Sequence, residues 1–205
     1  MEFWNSLLTQ KSWNILQDLS KESFNFIIIG GWAAYLWTKQ HKSKDIDVII
    51  PEFKDLEIIK QKYILKKNEH LKKYEIQIEE IDIDIYVPYY SQLALPLEDL
   101  VNYTTKVESF DVVIPEVLLI LKQGAELDRR ESIKGQKDRI DIMTLLCYTD
   151  IDFKKYRELI TKYNLRHFEK RLKEIILSFK EVKYLNLNLN EFAKYKKEIL
   201  KSNFH

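Results

Sequence analysis

The chain has 205 residues, 45% hydrophobic and 13% aromatic, enough to bury the core of one domain or of a compact core with a helical lobe, and not a disordered or fibrous composition. No apolar run approaches the roughly 20 residues of a membrane span, and the opening Met1-Glu2-Phe3-Trp4-Asn5-Ser6 lacks the basic and apolar regions of a signal peptide, so a cytoplasmic protein without a membrane partner is expected. The net charge of +1 is uneven: residues 151–205 carry 14 Lys and Arg against 7 Asp and Glu, and residues 1–150 carry 19 against 25, an acidic body suited to divalent cations and a basic tail suited either to a polyanion or simply to solvated helix faces.

In chain order, Phe3, Leu7, Leu8, Trp13, Ile15, Leu16 and Leu19 recur with helical spacing and predict an amphipathic helix. Phe24 to Ile29 reads as a short strand ending in Gly30-Gly31, with a helix over Trp32 to Trp37. A strand over Ile46 to Ile50 is closed by Pro51; a short helix over Leu56 to Ile59, a strand-like Tyr63-Ile64-Leu65 and strands over Tyr74 to Ile78 and Ile81 to Val87 follow. A short helix near Leu97 to Val101 precedes the alternating stretch Val107 to Ile114. Everything beyond reads as helical: from Pro115, which suits a first helical turn, to Arg129, then Gln136 to Tyr148, Phe153 to Tyr163, Arg166 to Phe179 and Leu189 to Leu200. The expected fold is α+β, a small mixed sheet flanked by helices over residues 1–114, followed by a helical lobe over residues 115–205. Cys147, in an apolar run, is expected to be a buried small hydrophobe; being single, it excludes an internal disulfide.

Two features carry chemistry. Gly30 and Gly31 stand between a strand and a helix, where missing Cβ atoms let backbone amides approach a phosphate at a helix N-terminus, although any tight strand-to-helix turn can use glycines. In Asp45-Ile46-Asp47-Val48 strand periodicity sends both aspartates to one face and the apolar residues to the core. Converging carboxylates repel one another unless a hard cation such as Mg2+ relieves them. The second acidic strand, Ile81-Asp82-Ile83-Asp84-Ile85, has the same pattern and can complete a three-carboxylate site for two metal ions.

The order strand, Gly30-Gly31, helix, Asp45-Ile46-Asp47 resembles the signature of the DNA polymerase β-like nucleotidyltransferase superfamily. Within it, His41-Lys42-Ser43-Lys44-Asp45-Ile46-Asp47 resembles the AbiEii group of toxin-type nucleotidyltransferases, with His41 where an arginine is usual. Lys122-Gln123-Gly124-Ala125-Glu126-Leu127-Asp128-Arg129 and Lys137-Asp138-Arg139-Ile140-Asp141 are similar to a later pair of motifs of that group; together the resemblance spans about residues 24 to 146.

The resemblance implies transfer of a nucleoside monophosphate from an NTP to a hydroxyl, with Asp45, Asp47 and Asp84 as catalytic, metal-holding carboxylates and Mg2+ (two ions, or Mn2+) as cofactor. Asp84 is preferred to Asp82 because it lies nearer the strand end, as the third carboxylate does in that family; both point the same way. Gly30, Gly31, Ser43, Lys122 and Lys137 are the expected phosphate contacts, with Asp138 and Asp141, one helical turn apart, in support or forming an ordinary ion-pair face. Trp32, Tyr35 and Trp37 suit core packing, while Tyr86, Tyr89 or Tyr90 could stack on a base; His70 and His167 have no ligand-spaced partner. The expected acceptor is RNA, such as a tRNA 3' end, with an antitoxin protein as a further partner; the alternatives are a protein hydroxyl as acceptor or a non-catalytic nucleotide- or RNA-binding module.

Overall fold

A computed structural model describes residues 6–204, so Phe3, expected on the first helix, lies outside the described residues. Two compact units divide between Ile114 and Pro115.

The first unit is built on helices α1 (Ser6–Leu19), α2 (Gly30–Thr38), α3 (Phe53–Lys62) and α4 (Leu97–Leu100) and on strands β1 (Ile27–Ile29), β2 (Ile46–Ile49), β3 (Lys66–Asn68), β4 (Lys73–Ile78), β5 (Ile81–Tyr86), β6 (Thr104–Val107) and β7 (Phe110–Val113). The strands form one seven-stranded mixed sheet in the order β3-β4-β5-β2-β1-β7-β6. β2 runs parallel to β5 and antiparallel to β1, and β1 is parallel to β7. The apolar members of the alternating strands, Ile46, Val48, Ile81, Ile83 and Ile85, are buried, which leaves the intervening aspartates on the opposite face.

An aromatic cluster joins α1 to α2. Trp32 is fully buried, its indole nitrogen donates to the Ser12 hydroxyl at 2.8 Å, and its ring lies 5.1 Å from that of Trp13. Tyr35 packs edge-on against Trp32, and the Trp37 indole donates to the Val113 carbonyl at 2.9 Å, so these three aromatics are packing residues.

Two segments depart from the sequence pattern. Tyr63-Ile64-Leu65 is not a strand: α3 continues to Lys62, the Tyr63 amide caps it on Ile59, and pairing begins only at Lys66↔Glu75. Val107 to Ile114 is not one strand but part of the β6–β7 hairpin, which pairs Val107 with Phe110 and turns through Glu108 at φ 56°. Glutamate is not a usual residue for that conformation, so the turn carries no sequence signal.

The second unit comprises α5 (Pro115–Asp128), α6 (Ile133–Tyr148), α7 (Phe153–Lys162), α8 (His167–Ser178) and α9 (Leu189–Asn203). α6 starts three residues before the apolar periodicity suggests, because the Ser132 hydroxyl caps it by accepting from the Gly135 amide at 3.0 Å. Its interior holds charges as well as apolar side chains. The Glu126 side chain is fully buried, accepting from Arg139 at 2.9 Å and from Arg171 through two bonds of 2.9 and 2.5 Å. Lys122 sits 2.6 Å from Asp141 and 3.5 Å from Asp138, which also accepts a two-pronged contact from Arg129 at 2.7 and 2.9 Å. Cys147 is half-buried rather than fully buried, and burial pushes its thiol up to about 12.

Removing one partner from a buried ion pair leaves the other desolvated and uncompensated. Glu126→Ala should therefore lower stability by about 3 kcal/mol or more, read as a fall in the urea midpoint at unchanged slope. Cys147 should react with iodoacetamide at pH 8 at least about 100-fold more slowly in the folded protein than in urea, because the thiolate is the reacting species.

Candidate active site

The site is a row of charged side chains across adjacent strands. The register aligns Lys66 of β3 with Glu75 of β4, Glu75 with Asp84 of β5, Asp84 with Asp47 of β2, and Asp47 with Ile29 of β1. Asp45 lies one position before the first β2–β5 ladder pair, Ile46↔Ile83, and its charge is felt at Asp84. Asp82 is also one position from that pair but is exposed and faces Gln77 across the β4–β5 ladder. Asp45, Asp47 and Asp84 are all half-buried.

Gly30 closes the row. It follows Ile29, the residue aligned with Asp47, and takes φ +66°, a left-handed conformation that L side chains rarely adopt. A Cβ at this position would lie 2.1 Å from Asp47 Oδ2 and 2.7 Å from its carboxyl carbon, so the carboxylate fills the space that a side chain would need. Gly31 is buried in the first turn of α2, and Ser43 is buried in the irregular segment that leads to β2.

Two residues that the sequence reading did not select, Lys73 and Glu75, complete the row. The Lys73 ammonium is 2.6 Å from Asp84 Oδ2 and 3.1 Å from Glu75 Oε1, and Asn68 donates to the same Glu75 oxygen at 2.9 Å. The available signal was the alternation of Lys73, Glu75 and Gln77 with Tyr74, Ile76 and Ile78, which puts the three polar residues on one face of β4. Burial is the largest influence on the Asp84 carboxyl and holds it above its ordinary value; Lys73 pulls it down, while Glu75 and Asp45 push it up. Burial acts to lower the Lys73 ammonium, but its hydrogen bond to Asp84 and the nearby carboxylates outweigh this and raise it. Desolvation and pairing therefore make opposite demands on this pair.

The donor chemistry fits a hard divalent cation: carboxylate oxygens at aligned positions of two parallel strands, and a glycine whose missing side chain leaves room for one of them. Among the described residues, no group of three or more His, Cys, Asp or Glu side chains is arranged as a ready-made metal site. At Asp84 the cation in place is the ammonium of Lys73.

The other expected contacts lie in the second unit. Lys122 is engaged by Asp141 and Asp138 with its side chain 9% exposed, Asp138 and Asp141 serve as its partners, and Lys137 is half-buried on α6. Tyr90 lies at the β3–β4 edge, its ring 5.3 Å from that of Tyr74 and 4.8 Å from the Lys67 ammonium, whereas Tyr89 is exposed at φ 61°. No described helix is long and apolar enough to cross a membrane.

The mixed α+β architecture is that of nucleotidyltransferase structures. ANT(2")-Ia, solved with adenylyl-2"-tobramycin, superposes with a TM-score of 0.52 over 79% of this chain and 99% of its own, at 14% identity. More distant are JHP933 from Helicobacter pylori (TM-score 0.48, 14% identity, 97% and 94% coverage) and the lincomycin-bound lincosamide adenylyltransferase LnuA (TM-score 0.43, 15% identity, 70% and 98% coverage). At such identities it is the fold that is shared. Neither a protein-family description nor a curated protein sequence matches the chain.

Gly30→Ala should cost about 2–4 kcal/mol, the sum of left-handed strain and overlap with Asp47, measured by urea denaturation. Gly30→Ala combined with Asp47→Ala should recover only the part due to overlap with the carboxyl group, since Asp47 Cβ, 2.8 Å from the added atom, remains; strictly additive losses would show that the carboxyl group does not compete for that space.

Proposed function

We propose that the chain is a nucleotidyltransferase of the AbiEii type that moves a nucleoside monophosphate from an NTP to a hydroxyl acceptor on RNA. The observation that carries the reading is the alignment of Asp47 with Asp84 on parallel strands, with Gly30 at the N-terminus of α2 backed directly on Asp47. Asp45, Asp47 and Asp84 would hold Mg2+, or Mn2+, through oxygen ligands of the kind those ions prefer. Two such ions, when bound, supply neutralisation of triphosphate charge and polarisation of the acceptor hydroxyl.

The remaining roles belong to the chain. Gly30 and Gly31 keep side chains away from the first turn of α2, where backbone amides and the helix dipole favour a phosphate. Ser43, next to the Asp45 segment, is assigned a hydrogen bond to a phosphate oxygen. Lys122 would have to leave two buried aspartates to act as a phosphate contact. Asp138 and Asp141 support the helical unit by holding Lys122 and Arg129.

The surplus of basic residues after Asp150 supports a polyanionic acceptor, and α7 presents Lys154, Arg157 and Lys162, with Glu158 and Thr161, around a shallow surface hollow. Incubation with each of the four radiolabelled NTPs and Mg2+, first with tRNA and then with protein, should place label on tRNA. Asp45→Ala and Asp47→Ala should each lower transfer at least about 100-fold with the fold intact. Label on protein alone would replace the RNA acceptor by a protein hydroxyl, and transfer unchanged by either substitution would overturn the enzyme assignment.

A further inference from the structure

The nucleotidyltransferase reading gives no role to Lys73, which lies beside the row on β4. Lys73 is a cation placed among carboxylates that the reading reserves for metal ions. Its side chain is 11% exposed, and its ammonium contacts Asp84 at 2.6 Å and Glu75 at 3.1 Å. Glu75 is in turn anchored by Asn68, the residue aligned with Lys73 on β3.

The arrangement has a physical rationale. Asp47, Asp84 and Glu75 occupy consecutive positions of one cross-strand row, and like charges so placed repel unless a cation sits among them. A lysine suits a replaceable cation, because its ammonium is a compact point charge on a flexible stem and holds no fixed bidentate geometry. Glu75 supplies a second partner on the side of the sheet away from Asp47, so the ammonium can stay paired when Asp84 is given up.

Resting on the nucleotidyltransferase reading, we propose that Lys73 is a positioning residue that occupies Asp84 as a resident counter-ion and yields it, passing to Glu75, when a divalent cation loads. The lysine holds Asp84 in the row while the site lacks metal and competes with metal for that carboxylate. It thereby weakens metal binding to the nucleotide-free protein and favours entry of the cation together with its nucleotide. The exchange is of non-covalent partners only: one Lys73–Asp84 contact is lost, one metal–carboxylate contact is gained, and the lysine remains protonated.

The test is binding of Mn2+ alone to the full nucleotide-free chain, followed by the electron paramagnetic resonance signal of free Mn2+, with folding checked by circular dichroism. Lys73→Gln should bind Mn2+ at least about tenfold more tightly than the wild type, the effect of removing one positive charge a few ångströms from the ion. Lys73→Met, which keeps the apolar stem, should show the same gain and serves if the glutamine variant does not fold. Lys73→Arg, which keeps the charge, should show no gain, and adding Asp84→Asn to Lys73→Gln should abolish it. A purely structural lysine would lower the melting temperature without tightening Mn2+. Binding by both neutral variants no tighter than the wild type overturns the inference, even if the wild type transfers nucleotide. Tighter binding in a protein that transfers no nucleotide upholds the counter-ion role and overturns the nucleotidyltransferase reading instead.

Discussion

The candidate site is organised around the placement of the Asp47 carboxylate against a residue that has no side chain. Gly30 takes a left-handed backbone conformation, and the atom that any other residue would add there would overlap the Asp47 side chain. Antiparallel pairing of β1 with β2 aligns Ile29 with Asp47 and so brings the start of α2 up to β2. Parallel pairing of β2 with β5 then sets Asp84 beside Asp47, and antiparallel pairing of β4 adds Glu75 and Lys73. The concentration of negative charge follows from the strand register, and so does the need for a cation to offset it.

The two units treat buried charge differently. In the helical unit Glu126, Asp138 and Asp141 are each held by lysine or arginine and are closed from solvent. Such pairs are costly to break and add little beyond what well-packed apolar side chains would contribute, so they suit a specified packing of α5, α6 and α8. On the sheet, Asp45, Asp47 and Asp84 are only half-buried, and Lys73 touches just one of them. Carboxylates that stay partly accessible on a sheet are what a ligand-binding row requires.

Much of this was legible in the residues. The alternation in Asp45-Ile46-Asp47-Val48 and Ile81-Asp82-Ile83-Asp84 identified both strands and the face of their acids, because side chains on a strand alternate with period two. The helices after Pro115 were visible from their apolar spacing. The β6–β7 turn was not, since Glu108 is no usual turn residue, and the edge strand β3 was not, since Lys66-Lys67-Asn68 has neither β-branched nor aromatic residues. Lys73 and Glu75 escaped notice because a lysine and a glutamate on a strand resemble any solvated face until the neighbouring strand is known.

By itself the sequence determined the kinds of element, the glycine between strand and helix, and the faces carrying the carboxylates, all consequences of local periodicity and steric permission. Only the tertiary structure decided which acids share a row. Register is set by long-range pairing, and it aligned Asp84, not Asp82, with Asp47. It also decided which lysines meet carboxylates: Lys122 those of its own helical unit, and Lys73 those of the candidate site. Charge pairing depends on distances between segments far apart in sequence, and no local pattern encodes them.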